Sequence, residues 1–169
     1  SSFVFNTLMG LSGGMIGAFW WSKGNPFWMM SGGLAGIFIC ASGLDIWYPG
    51  FAFLLGIVAG CVIIPANNFL HNTFKIDDCV GAVSIHGVCG ILGMLVVGLF
   101  AAGYPAAGDI PPSSFMGQLL SAIVMALVGF VPGYGISFIM KKADWLRVPD
   151  SVQKAGIDKA ELGLQAYHN

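Results

Sequence analysis

His86 is the residue of this sequence best suited to do chemistry. It lies in an uncharged run of apolar and small residues that follows an acidic pair, Asp77 and Asp78. A neutral imidazole offers one hydrogen-bond donor and one acceptor, and it can take up a proton near neutral pH. His86 could therefore bind a small polar molecule and relay its proton. The alternative is a neutral structural histidine that is bonded to a neighbouring helix.

The acidic pair stands where a helix is expected to begin. A carboxylate at a helix N-terminus accepts hydrogen bonds from free backbone N–H groups and is stabilised by the helix dipole. We expect at least one of Asp77 and Asp78 to cap the helix that carries His86, and attraction of a cation is the alternative. Adjacent side chains on a helix point about 100° apart, so the pair cannot easily share one metal ion.

The other residues that could bind a metal or a substrate, namely His71 and the cysteines, are interpreted as structural. His71 follows Asn67 and Asn68 near the end of an apolar stretch and is expected to be an interfacial polar residue. No C-x-x-C pair is present, and no ATP-binding motif or redox site is found, so we predict no metal, no cofactor and no enzymatic activity. The cysteines are interpreted as small buried hydrophobes: Cys40, Cys61, Cys79 and Cys89.

The composition predicts a membrane protein. The chain has 169 residues, of which 56% are hydrophobic and 9% are charged, whereas a soluble domain carries about 25% charged residues. Because these charges are too few to cover a soluble surface, the apolar surface must face lipid. The net charge of −1 gives no basis for nucleic-acid binding.

Five uncharged stretches have the length of about 20 residues that a helix needs to cross a bilayer. They are residues 3–21, 27–44, 49–70, 79–102 and 115–140. Pro65 is expected to kink or end the third helix. His86 follows Asp78 by eight residues, a rise of about 12 Å, which predicts a position near mid-depth. Since an ionisable group at that depth is costly, it should face a cavity or a partner.

The helical face of His86 is narrow, because Ala82, Gly90 and Gly93 share it. Either a pore opens there or a bulky neighbour approaches. Elsewhere, glycine pairs spaced four residues apart predict close helix crossings: Gly10/Gly14, Gly13/Gly17, Gly32/Gly36, Gly56/Gly60 and Gly129/Gly133. Aromatic residues at the ends of the spans are typical of an interfacial belt: Trp20, Trp21, Trp28, Trp47, Tyr48 and Tyr104.

Charge predicts the topology. Residues 1–140 are the predicted transmembrane region, and the polar tail, residues 141–169, holds five of the seven basic residues. By the positive-inside rule we expect the tail and the loops at Lys23 and Lys75 in the cytoplasm. The loops at Asp45 and Asp109 are then outside, as is the N-terminus. An odd number of helices after an outside N-terminus predicts that further helices precede them in the complete protein.

One motif is long and specific. The run Lys75-Ile76-Asp77-Asp78, seven further residues and His86-Gly87-Val88-Cys89-Gly90, with Gly98-Leu99-Phe100-Ala101 beyond, resembles the signature of the Amt family of ammonium transporters. It is the Amt form of the Amt/Rh superfamily rather than the Rh form. The resemblance extends to Asn6-Thr7 and to residues 31–36. In the tail it covers Leu146-Arg147-Val148-Pro149, Gly156-Ile157-Asp158, Glu161, Gly163 and Ala166-Tyr167.

The resemblance implies eleven transmembrane helices, arranged as two five-helix inverted repeats around a narrow hydrophobic pore, in a homotrimer. The five spans would be helices seven to eleven, the C-terminal half. His86 aligns with the second of two facing pore histidines, and the first belongs to the N-terminal half. The resemblance also implies ammonium or ammonia as substrate, the plasma (inner) membrane as location, and a PII-type regulatory protein as a partner at the cytoplasmic face.

Three positions depart from the family pattern. Cys79 stands where a proline usually follows the acidic pair, which is expected to loosen the helix start. Ala41, beside Ser42, replaces a threonine often found near the outer vestibule. Residues 161–164 read Glu-Leu-Gly-Leu instead of the usual Glu-His-Gly-Glu, so contacts of the tail are expected to differ.

Three functions stay open at this point. The first is a transporter of ammonium or ammonia. The second is an ammonium sensor of the same fold that signals through its tail. The third is a non-conducting subunit or fragment, and a second helical segment upstream with its own mid-membrane histidine would favour transport over this alternative.

Overall fold

The computed structural model describes residues 2–76, 78–104, 112–157, 159–160 and 163. All regular elements in these ranges are helical, as the sequence predicts. The α-helices are α1 (Ser2–Ser22), α2 (Pro26–Cys40), α3 (Pro49–Phe69), α4 (Cys89–Phe100), α5 (Phe115–Lys142) and α6 (Asp150–Ala155). A 3₁₀ turn, Ala41–Gly43, follows α2, and a π-helical segment, Leu70–Phe74, continues α3. A second π-helical segment, Val83–Val88, leads into α4.

Several residues named from the sequence lie outside the described ranges. They are Asp77, Asp109, Asp158, Glu161, Leu162, Leu164, Ala166 and Tyr167.

Five helical stretches are long and apolar enough to cross a bilayer, which confirms the five predicted spans: Ser2–Ser22, Pro26–Gly43, Pro49–Phe74, Val83–Phe100 and Phe115–Lys142. Local signals set where they begin. Pro26 and Pro49 occupy the first turns of α2 and α3, where the missing N–H would have had no intrahelical partner. The Asn25 side chain accepts hydrogen bonds from the backbone N–H groups of Phe27 (3.0 Å) and Trp28 (3.4 Å).

Three helical stretches end at a non-glycine residue with left-handed backbone. Lys23 follows α1, Lys75 follows the π-helical end of α3, and Asp144 lies just after α5, each with φ of 56°. At the end of α5 the backbone N–H of Trp145 donates to the carbonyl of Met140 (2.9 Å). This bond satisfies one of the carbonyls that a helix C-terminus leaves free.

Two boundaries differ from the sequence expectation. The third helix was expected over residues 49–70, and it runs through Pro65 and continues as a π-helical segment to Phe74. The fourth helix was expected from Cys79, yet its first helical residue is Ala82. Gly81 precedes it with φ of 72°, a conformation that an α-helix excludes. The helix can therefore begin only after that glycine.

Residues Ser1–Val124 form one compact unit. Glycine backbones meet at its centre, where α1 lies against both α2 and α3. A Cβ atom at Gly10 would be 2.6 Å from the carbonyl oxygen of Gly36, and Cβ atoms at Gly56 and Gly60 would collide with the carbonyls of Gly10 and Gly14. The predicted close crossings are present here. The order of these contacts makes α1 antiparallel to α2 and parallel to α3.

Residues Met125–Asn169 form a second compact unit. It contains the C-terminal part of α5 and the short helix α6. A Cβ atom at Gly129 or at Gly133 would meet nothing within 4 Å. Within this unit, therefore, the described residues make no helix crossing at this fifth glycine pair.

Trp47 does not belong to the aromatic belt in which the sequence placed it. It is 7% exposed, its indole packs on Gly43, and its ring lies 5.1 Å from that of Phe51 in an edge-to-face pair. The side-chain amide of Asn6, itself fully buried, donates hydrogen bonds to the carbonyls of Leu44 (2.9 Å) and Trp47 (2.7 Å). These bonds fix the α2–α3 connection against α1.

The cysteines are not uniformly buried as expected. Cys40 and Cys89 are buried, Cys61 is half-buried and Cys79 is exposed. Cys79 differs because the chain is still in a turn at that residue and has not yet entered the helix.

Candidate functional site

His86 is exposed on the surface of the described chain, in the middle of the π-helical segment. The two preceding residues point inward, since Ser84 is fully buried and Ile85 is 3% exposed. π-Helical segments are rare and are frequently found at functional sites. Here the segment packs through Ser84 and Ile85 and presents the imidazole on its other side.

The imidazole contacts one aromatic side chain. The ring centroids of His86 and Phe38 are 4.1 Å apart, and the ring planes meet at 68°. Phe38 belongs to α2 and is half-buried. The imidazole is therefore supported from the α2 side by an aromatic ring.

Contacts with α2 define the level of His86 along the span. A Cβ atom at Gly81 would lie 3.8 Å from the ring of Trp28 near the start of α2, and Gly93 packs on the backbone of Ile39 near its end. His86 falls between these contacts, so its level lies between Trp28 and Ile39 of α2, and its ring reaches Phe38. His86 is the fourth residue of its own span, Val83–Phe100, so the position near mid-depth that the sequence predicts stays a prediction.

The rise of about 12 Å between Asp78 and His86 assumed a continuous α-helix from Cys79 and does not hold. The residues from Asp78 to Gly81 form a turn, so they do not contribute the helical rise. The position of His86 along the span is therefore given by its contacts with α2 and not by the number of residues that separate it from Asp78.

The small residues predicted to share one helical face with His86 do not all lie on the same side in the structure. A Cβ atom at Gly90 would meet nothing within 4 Å, and one at Gly87 would meet only the Val83 side chain at 3.8 Å, whereas Gly93 is buried against α2. A π-helical turn holds more residues than an α-helical turn, so it shifts later residues around the axis. The open strip beside His86 is therefore formed by Gly87 and Gly90.

Asp78 contacts the start of the segment that carries His86. Its two carboxylate oxygens accept hydrogen bonds from the backbone N–H groups of Ala82 (2.7 Å) and Val83 (2.8 Å). These two donors belong to the set that every helix N-terminus leaves without an intrahelical partner. The described contacts of the carboxylate thus go to the helix start rather than to His86.

His71, Ala41 and Ser42 belong to other segments of the chain than His86. His71 is exposed in the π-helical end of α3, and Ala41 and Ser42 are exposed in the 3₁₀ turn after α2. The connections after α2 and α4 line a separate open cavity of about 490 Å³, which is rich in aromatic side chains: Trp47, Tyr48, Phe51, Phe100 and Tyr104.

Sequence reasoning missed two neighbours of the site. Phe38 contacts His86 across a long stretch of sequence, and no local pattern pairs the two residues. Ser84 is buried, and its hydroxyl has no hydrogen-bond partner among the described residues. The 3.6-residue period of an α-helix gives no warning of the π-helical turn that places Ser84 inward and His86 outward.

Five apolar spans, one of which carries an exposed histidine beside an open glycine strip, define the class: this is an integral membrane protein of the polytopic helical type. The Ammonium Transporter Family model matches residues 1–167, and the chain therefore belongs to the ammonium transporter family. This finding confirms the resemblance inferred from the motif.

Similar proteins agree with this assignment. Ammonium transporter Amt1 of Methanocaldococcus jannaschii is 32% identical, in an alignment that covers 99% of this chain and 42% of the relative. Ammonium transporter 1 member 1 of Solanum lycopersicum is 32% identical over 82% of this chain and 31% of its own length. A solved structure named Sensor Amt Protein matches with a TM-score of 0.78 and 30% identity, over 95% of this chain and 41% of that one. The chain thus spans less than half the length of these relatives.

Proposed function

We propose that the complete protein moves ammonium or ammonia across a membrane and that His86 lines the path. The observation that carries the proposal is the position of His86, which is exposed within an apolar span, against Phe38 of α2 and beside the open strip of Gly87 and Gly90. An ionisable side chain within such a span is costly against lipid. A path for a polar solute accounts for it.

The proposed mechanism follows from the cost of moving a cation. Placing bare ammonium in a medium of low dielectric costs tens of kcal/mol, so a narrow apolar path cannot carry it unaided. Deprotonation at the mouth, passage of ammonia past His86 and reprotonation inside avoid that cost. The imidazole donates one hydrogen bond, accepts another and can relay the proton. The membrane potential and the concentration gradient would supply the energy.

The open side of His86 needs a second wall. We propose that the five spans correspond to helices seven to eleven of an eleven-helix fold, and that the N-terminal half supplies this wall with its own histidine. Transporters built from inverted repeats place the substrate path at the junction of the repeats. By itself, the described chain leaves His86 exposed, so residues 1–169 alone should not conduct.

We also propose residues 1–140 as the transmembrane region and residues 141–169 as a cytoplasmic tail, in a homotrimer of the plasma (inner) membrane. The basic end of α5 supports this orientation. The Lys142 ammonium lies 4.9 Å from the Phe138 ring centroid, as expected for a cation at the edge of the apolar layer. The tail is then a candidate surface for a PII-type regulatory protein. A reporter fused after Asn169 that is active only outside the cell would refute the orientation.

A sensor is the second candidate function. It is favoured by the match to the solved structure named Sensor Amt Protein. The two functions differ in what ammonium produces: a transporter gives flux, whereas a sensor gives a signal through its tail without flux. Measuring uptake and the effect of deleting residues 141–169 on any ammonium-dependent signal separates the two.

The transport proposal is tested by replacing His86 in the complete protein. Uptake of methylammonium is measured in cells that lack their own ammonium transporters. His86→Ala should abolish this uptake or alter the selectivity of the protein for ammonium over potassium, while the amount of folded protein stays the same. His71→Ala is the matched control, because His71 is exposed in another segment. Unchanged uptake and selectivity in His86→Ala would rule out the proposed role.

A further inference from the structure

We propose that Phe38 is a positioning residue for His86 and helps to set the selectivity of the transport path. The inference rests on the proposed function of His86 and adds to it a residue from a different helix. The two rings are in direct edge-to-face contact, with centroids 4.1 Å apart and planes at 68°. Aromatic rings favour this arrangement because the positive edge of one meets the negative face of the other.

Phe38 is itself held in place. Its helix packs against α1 through the backbones of Gly32 and Gly36, and the next two residues, Ile39 and Cys40, are 1% and 0% exposed. The Phe38 ring packs against the same buried cluster. The backbone that carries the ring is therefore fixed against α1, and the ring itself rests on the buried cluster.

The surroundings of His86 are asymmetric. On the α2 side stands the Phe38 ring, and along its own helix the neighbouring positions Gly87 and Gly90 carry no side chain. The Phe38 ring thus limits the imidazole rotamer on the α2 side. Since the aromatic ring presents only apolar surface, exchange of hydrogen bonds with the transported molecule takes place on the open side.

A matched pair of substitutions in the complete protein tests this role. Phe38→Leu removes the ring but keeps an apolar side chain, and it should change the uptake ratio of ammonium to methylammonium about 3- to 10-fold. Phe27→Leu is the control: Phe27 lies on the same helix and forms an edge-to-face pair with Trp28 at 5.1 Å. It should leave the ratio unchanged.

Two further variants separate positioning from general packing. Phe38→Tyr keeps the ring and should retain the wild-type ratio. In a His86→Ala background Phe38→Leu should cause no further change in ammonium flux or in its selectivity over potassium, measured in vesicles at matched protein content, because residues that act through one another are not additive. If Phe38→Leu does not accumulate, Phe38→Met, with a flexible side chain that fills irregular space, takes its place in both comparisons.

The outcomes distinguish this inference from the function on which it rests. If His86→Ala leaves uptake and selectivity unchanged, the proposed function fails and the role of Phe38 fails with it. If His86→Ala alters uptake but Phe38→Leu and Phe38→Met behave like Phe27→Leu, the role of Phe38 alone is overturned. Full additivity of Phe38→Leu and His86→Ala would also overturn it.

Discussion

Glycine is used in opposite ways in two regions of this molecule. Between α1, α2 and α3, a Cβ atom at Gly14 or Gly60 would collide with the backbone of the facing helix. Beside His86, a Cβ atom at Gly90 would meet nothing within 4 Å. The same residue type thus allows backbones to touch in one region and leaves open space in the other. Glycine content by itself does not distinguish a packing face from a path.

The largest effect should come from filling the packed region. Gly14→Leu in the complete protein places a side chain where the carbonyl of Gly32 and the Cα of Gly36 already lie. We expect a loss of about 3 kcal/mol or more in unfolding free energy, measured by thermal unfolding in detergent and by the yield of folded protein. Gly50→Leu is the control, since a Cβ there meets nothing within 4 Å. Equal stability of both variants would contradict the account of the α1–α2 contact.

Filling the open region should affect transport rather than folding. Gly90→Leu should accumulate like the wild type, while uptake falls about tenfold or more, a barrier increase of about 1.4 kcal/mol, because the side chain occupies the strip beside His86. Uptake and folded yield are measured together. A variant that fails to fold would mean that the strip packs against another segment in the complete protein, and the contrast between the two regions would disappear.

The smallest effect is expected at the helix start. Asp78→Ala removes the acceptor of the N–H bonds from Ala82 and Val83 and should cost about 1 kcal/mol of stability, whereas Asp78→Asn should cost less. The thermal midpoint of each variant measures this difference. If Asp78→Ala instead reduces uptake as strongly as His86→Ala at unchanged stability, attraction of a cation is the better interpretation of the carboxylate.

Much of the fold could be predicted because the bilayer imposes a strong length and composition rule. The five spans are where the uncharged stretches indicate, and proline marks the starts of α2 and α3. The errors fall where a single residue conformation decides the outcome. Gly81 delays the fourth helix through its positive φ. The third helix passes through Pro65, which a membrane helix can accommodate, and its π-helical end extends it to Phe74, four residues beyond the predicted end.

Less of the candidate site could be predicted. The depth and polarity of His86 single it out in sequence, but its neighbours depend on tertiary contacts. The ring of Phe38 reaches it from α2, and the π-helical turn moves Gly93 off the open face and into contact with Ile39. Neither follows from a 3.6-residue period. The role of His86 in conduction stays a prediction.

The central claim is that the open side of His86 belongs to the transport path. Its most direct test is to measure ammonium flux into vesicles that contain the purified complete protein. The wild type, His86→Ala and His71→Ala are compared at matched protein content, with potassium as the competing cation. We predict that His71→Ala matches the wild type and that His86→Ala loses flux about tenfold or more, or loses its selectivity for ammonium over potassium. Equal flux and equal selectivity in all three proteins would contradict the account.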